Sequence, residues 1–150
     1  MNGLDIAAAG AKRVFTHTGP DAARLVVADA MRDGLSPSVQ QMLREIDQHY
    51  FDPLTLEVLA ARIKKDARHL GRRFRLELGI SVHDYLVQVR LDHAAAAIRR
   101  GVKIDAVSLL VGYRSKKNFF SAFKRRFGMT PGAYAAAARA RSGKRRSPPA

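Results

Sequence analysis

The chain contains no cysteine and no tryptophan. Without thiols it can form no disulfide, no cysteine-ligated zinc site, no iron–sulfur cluster and no cysteine nucleophile, and the redox compartment stays open. No run of 18 apolar residues occurs, and Asp5 sits where a signal peptide would carry its basic leader before an apolar stretch. The reading is a soluble, intracellular chain. Catalytic signatures are missing too: His17, His49, His69, His83 and His93 form no HExxH or other close ligand pair, and there is no phosphate-binding glycine loop or serine nucleophile elbow. An enzyme is therefore the least supported class, and no metal or cofactor is expected. What the chain does have is 150 residues, 47% of them hydrophobic, enough for one domain with a real core.

Acidic residues are also scarce, with 13 Asp+Glu against 27 Lys+Arg and a net charge of +14. The excess is graded along the chain. Residues 1–50 hold five basic and six acidic residues, 51–100 hold ten and six, and 101–150 hold twelve and one, giving −1, +4 and +11. A polyanion partner would engage the C-terminal two thirds, and nucleic acid is the commonest such partner of a small basic domain. A solvated cationic face and a membrane-surface helix are the alternatives that charge alone leaves open.

Helical punctuation recurs while alternating β patterns are nearly absent, so the fold class is all-α. Asp21–Asp33 reads as a short helix ended by Gly34. Ser36 followed by Pro37 predicts a cap and first helical residue, and Val39, Met42, Leu43, Ile46 and Tyr50 then lie on one apolar face until Asp52-Pro53. Thr55 opens a helix through Ile63, although Val58 stands where a full capping box would want Glu or Gln. Asp66 opens another, with Leu70, Phe74 and Leu78 inward and Gly79 as its stop. Ser81, with Asp84 three residues on, starts a long helix through Arg100, roughly 28 Å long, whose inward set is Tyr85, Val89, Leu91 or Asp92, and Ala94–Ala97. A short helix from Ile104 to Val111 follows. Ser115 then caps one carrying Phe119, Phe123 and Phe127 up to Gly128, and Thr130-Pro131 begins an Ala-rich last helix. Ser142–Ala150 reads as a disordered basic tail.

An internal repeat carries the functional reading. A shift of 48 lays Leu56, Leu59 and Ile63 on Ile104, Val107 and Val111; a shift of 49 lays Asp66, Leu70, Phe74, Arg75 and Gly79 on Ser115, Phe119, Phe123, Lys124 and Gly128. Each copy is a short helix, a tight turn and a second helix with a basic outer face, the plan of a helix-turn-helix. Opposite the core, the second helices bear the stripes Arg68, Gly71, Arg72, Arg75 and Lys117, Phe120, Ser121, Lys124. Such a helix presents its N-terminal half to base edges, where Arg bonds guanine and apolar groups touch the thymine methyl. Base contact is accordingly assigned to Arg68, Arg72, Lys117 and Ser121, and a methyl contact to Phe120. Phosphate contact, which carries affinity without sequence information, is assigned to Arg75, Lys116, Lys124 and Arg125. His69, near the start of the first such helix, reads as a surface or capping histidine.

The stretch from about Val39 to Ala138 resembles the DNA-binding domain of the AraC/XylS family of bacterial transcription regulators. The resemblance rests on HYFDPLTLEVLA, on RHLGRRFRLELGISVHDYL with VRLDHAAAAI, and on VGYRSKKNFFSAFKRRFGMTPGAY. It implies seven helices forming two helix-turn-helix subdomains joined by a linker helix, with recognition helices at about 66–78 and 115–127 entering successive major grooves, about 34 Å apart. The implied layout is an N-terminal extension at 1–35, the DNA-binding domain at 36–140 and the tail at 141–150. Most members carry a larger sensing domain, for which 1–35 is too short, so the chain resembles the small stand-alone regulators: cytoplasmic, nucleoid-associated, and monomeric on double-stranded DNA. DNA-repair members use a methyl-accepting cysteine, which this chain lacks.

Four residues depart from the family pattern. Lys64 in the first turn stands where the family usually has Gly, and a left-handed backbone there would cost about 1–2 kcal/mol. Gly71 lies mid-helix on the stripe and offers no side chain to a base. Phe120 and Ser121 replace longer polar residues. The rival readings are a nonspecific architectural DNA or RNA binder, in which charge does everything, and an interaction module in which Asp21–Asp33 docks a sensor or an RNA polymerase subunit. The register-matched stripes argue against the first, since charge alone would not require them. In the second, folding back onto its own domain is the favoured role for that helix.

Overall fold

The structure is a computed structural model and describes residues 32–145. The helix expected at Asp21–Asp33 falls almost wholly outside these residues. Within them lie seven helices and no strand: α1 (Pro37–His49), α2 (Leu56–Ile63), α3 (Ala67–Leu78), α4 (Val82–Arg99), α5 (Ile104–Leu110), α6 (Lys116–Phe127) and α7 (Pro131–Arg145). The described residues divide into two compact units, one up to Arg90 and one from Leu91, so that α4 contributes its first half to one and its second half to the other.

Side-chain caps set most of the boundaries. The Thr55 hydroxyl accepts from the Val58 N–H at 3.2 Å, the Asp66 carboxylate from His69 at 2.8 Å, Ser81 from Asp84 at 3.1 Å, Ser115 from Asn118 at 3.3 Å and Thr130 from Ala133 at 3.2 Å. Each satisfies one of the orphan donors of a first helical turn. Ser36 behaves differently. Pro37 starts α1 as expected, but the Ser36 hydroxyl makes no capping bond; its backbone N–H instead donates to Glu77 on α3 at 2.9 Å. At the other end of the chain, α7 runs through Arg145, into the segment expected to be a disordered tail. Gly143 is too weak a breaker to stop an Ala- and Arg-rich helix.

The first unit has a mainly aliphatic core around one aromatic pair. Met42, Leu43 and Ile46 of α1, Leu59 of α2, Leu70 and Phe74 of α3, and Tyr85, Leu86 and Val89 of α4 are buried together, with the Phe74 and Tyr85 rings edge to face at 5.6 Å. Arg90 anchors α4 to this unit. Its guanidinium donates to the Tyr50 carbonyl at 2.7 Å and the Asp52 carbonyl at 2.8 Å, placing a cation at the C-terminus of α1, where the helix dipole favours it.

The second unit is built on aromatic rings. Phe123 lies 4.5 Å from Phe127, 5.8 Å from Phe119 and 5.4 Å from Tyr134, centroid to centroid, and all four rings are buried. Arg99 of α4 donates to the Tyr134 hydroxyl at 2.8 Å. Asp92 pairs with Arg126 at 3.2 Å, with side chains 13% and 8% exposed. Leu91 is buried beside it in sequence, so both residues offered as alternatives for the inward position are used.

Candidate nucleic-acid interface

The repeat expected from the sequence is a repeat of structure. α3 and α6 have 12 residues each and start 49 residues apart; α2 and α5 start 48 apart. The extra residue lies in the turn. Both first helices close in the same way: Lys65 N–H reaches Ala60 O and Lys64 N–H reaches Ala61 O, while Tyr113 N–H reaches Ser108 O and Gly112 N–H reaches Leu109 O. This double bond pattern is a Schellman cap, whose central residue must be left-handed. Gly112 meets the demand with φ 93°, and Lys64 meets it at φ 56°, ψ 48°, as the only described non-glycine residue with positive φ.

The second helices begin at Asp66 and Ser115 and end at left-handed Gly79 and Gly128, with φ of 73° and 75°. Leu70, Phe74 and Leu78 in one and Phe119, Phe123 and Phe127 in the other are buried, which turns Arg68, Arg72 and Arg75, and Lys117, Ser121 and Lys124, to the exposed side. Arg125 is exposed as well. None of the cations Arg68, Arg72, Arg75, Lys117, Lys124 and Arg125 has a carboxylate partner among the described residues. Lys116 does: it pairs with Asp105 of α5 at 2.5 Å, but both side chains are more than half exposed. Such a pair is worth at most about 1 kcal/mol. His69 is exposed, its N–H held by Asp66.

Two members of the stripes are not on the open face. A Cβ built on Gly71 would lie 2.7 Å from Leu56 Cδ2, so this position faces the first turn of α2. Gly71 is therefore a close-approach glycine between α2 and α3 and not a gap in a base-reading row. Phe120, its equivalent 49 residues on, is half-buried with its ring edge to face against Phe119 at 5.9 Å. The i, i+3, i+4, i+7 spacing covers a sector wide enough to include such a flank, and spacing alone does not separate flank from face.

The sequence reading missed Leu76, 76% exposed on the outward side of α3, where the second copy has Arg125. It also missed the pair Leu109 and Leu110 on α5, 71% and 59% exposed, and the buried role of Arg126. The repeat offered a signal for Arg126. It corresponds to Glu77, which bonds both Arg73, at 2.9 Å, and Ser36, so a charge on that edge of the helix serves to tie it down. Among the described residues no cluster of His, Asp and Glu could hold a metal ion, and no helix is long and apolar enough to cross a membrane.

Two capped helix-turn-helix motifs with exposed basic faces define a class: a helical double helix-turn-helix protein of the DNA-binding kind. The sequence model of the helix-turn-helix domain family matches residues 59–137, more than half of the chain. Curated relatives include the HTH-type transcriptional regulator CdhR of Pseudomonas aeruginosa, 33% identical over 104 residues covering 68% of this chain and 31% of that protein. The regulatory protein SoxS of Escherichia coli is 32% identical over 97 residues, covering 64% of this chain and 91% of SoxS. The chain thus spans about a third of the first relative and nearly all of the second. Among solved structures, the DNA-binding domain of AdpA, a global transcriptional factor in complex with a target DNA, is 29% identical with a TM-score of 0.68, covering 73% of this chain and 99% of that one. The C-terminal domain of AraT, a response regulator from Geobacillus stearothermophilus, is 31% identical with a TM-score of 0.67, covering 69% and 87%. The chain belongs to the AraC-type helix-turn-helix family of DNA-binding transcription regulators.

Proposed function

We propose that the protein is a sequence-specific regulator that inserts α3 and α6 into successive major grooves of one duplex. The observation carrying this reading is the register-matched repeat: two capped 12-residue helices that expose corresponding positions and bury corresponding positions. Arg68 and Arg72 read bases from α3, Lys117 and Ser121 read them from α6, and Phe120 touches a thymine methyl from its flank. Arg75, Lys116, Lys124 and Arg125 hold phosphates. Residues 36–140 carry this activity, with 1–35 as an extension and 141–150 as a basic end. One chain supplies both half-site contacts, so it acts as a monomer at the nucleoid, with RNA polymerase as a further partner.

The division of labour has a direct test. Arg72→Ala should lower the ratio of specific to nonspecific affinity. Lys124→Ala should weaken all sequences alike and reduce the slope of log K against log salt by about 0.9. Equal effects of both substitutions on every duplex would support the nonspecific architectural binder instead.

A further inference from the structure

Asn118, the third residue of α6, does nothing for the fold that a better helix former would not do. It is exposed, and only its backbone N–H is engaged, by the Ser115 hydroxyl at 3.3 Å. Its carboxamide bonds nothing among the described residues. Asparagine is a mediocre helix former that is useful near a helix start chiefly when its own side chain caps the backbone. Here Ser115 already supplies the cap, so the carboxamide of Asn118 is left pointing outward with one donor and one acceptor side to offer.

Helix geometry places it on the same face as the assigned base contacts. At about 100° per residue, Asn118 stands about 140° round the helix from the middle of the buried row Phe119, Phe123, Phe127; Ser121 stands at about 160°, Lys117 at about 120° and Phe120 at only about 60°. Asn118 is thus turned further from the phenylalanine row than Lys117 is. It also lies in the first turn, within the half of a recognition helix that reaches base edges. In α3 the corresponding residue is His69, also exposed, with its N–H held by Asp66 at 2.8 Å. The two motifs therefore place different chemistry at one position.

From these observations we infer that Asn118 is a specificity-determining residue of the second half-site, its carboxamide oxygen accepting from N6–H and its NH₂ donating to N7 of one adenine. The side chain selects the base, because adenine alone shows an N7 acceptor beside an N6 donor in the major groove, whereas guanine shows two acceptors, N7 and O6. His69 carries no such pair of groups, so this contact belongs to the α6 element alone. The inference rests on the insertion of α6 into a major groove proposed above.

The test compares the motifs that the full wild-type chain and Asn118→Ala enrich from one random duplex pool. The variant should lose a single adenine column in one of the two elements and keep the rest. On the selected duplex, exchanging that A·T pair for G·C should weaken wild-type binding about 5- to 150-fold, the range for one bidentate contact. Replacing the adenine by 7-deazaadenine, which pairs normally but lacks N7, should weaken it about two- to twelvefold, the loss of one hydrogen bond. Both changes should leave the affinity of Asn118→Ala unaltered. A motif that Asn118→Ala leaves intact, an even loss of affinity for every duplex, or a lost column that is not adenine would overturn the inference while the two-groove reading stands. So would wild-type binding indifferent to 7-deazaadenine at every adenine of the motif, a result that needs no variant to fold. Failure of the wild type to enrich any motif would overturn both readings together.

Discussion

Replacing Lys64 should expose a backbone cost that the second motif avoids. Lys64 sits at φ 56°, ψ 48° in the Schellman cap of α2, where the matching residue of α5 is Gly112 at φ 93°. A left-handed non-glycine residue costs about 1–2 kcal/mol, and glycine returns about 0.5–1 kcal/mol of that through its greater freedom in the unfolded chain. Lys64→Gly should accordingly be more stable than Lys64→Ala by about 0.5–1 kcal/mol, both variants having lost the same charge. The comparison is diagnostic because its sign is inverted: at an ordinary helical position glycine is less stable than alanine by about 0.8–1.0 kcal/mol. Lys64→Val, a β-branched residue forced to positive φ, should be the least stable of the three. Urea unfolding of the full chain gives the order, and amide exchange at Leu70 and Phe74 reports the first motif separately from the second. Alanine equal to or better than glycine would refute the assignment of strain to this turn.

The buried pair of Arg126 and Asp92, both side chains under 15% exposed, predicts a strong asymmetry. Asp92→Leu alone should cost about 3–5 kcal/mol by stranding a charge, whereas Asp92→Leu with Arg126→Met should recover most of the loss, as a double-mutant cycle by denaturation would show. Phe123 touches three other rings, so Phe123→Ala should cost about 3–5 kcal/mol and loosen the second unit first, read as loss of amide protection at Phe119 and Phe127.

Most of the fold was legible because its boundaries are set locally. Thr55, Asp66, Ser81, Ser115 and Thr130 cap the helices they precede, and Gly79 and Gly128 end the helices they follow. Where a tertiary partner decides the outcome, the local pattern did not show it. Ser36 looks like any other cap, but Glu77, 41 residues away, takes its N–H instead. Gly71 looks like a vacancy on the basic stripe until Leu56 is seen against it. Arg126 is one of three consecutive basic residues, and its buried pairing with Asp92, at the position the repeat aligns with Glu77, sets it apart from exposed Lys124 and Arg125. The basic faces themselves were readable, since burial of Leu70, Phe74 and Leu78, and of three phenylalanines in α6, leaves their cations nowhere else to point.

The central claim is that both second helices read sequence, and selection of the full chain on a random duplex pool tests it most directly. Enrichment of a bipartite motif, with two elements spaced by about one helical turn, and loss of one element at a time when Arg72 or Lys117 is replaced by alanine, is the predicted result. A pool that enriches nothing, or only a single contiguous element unaffected by one of the two substitutions, would contradict it.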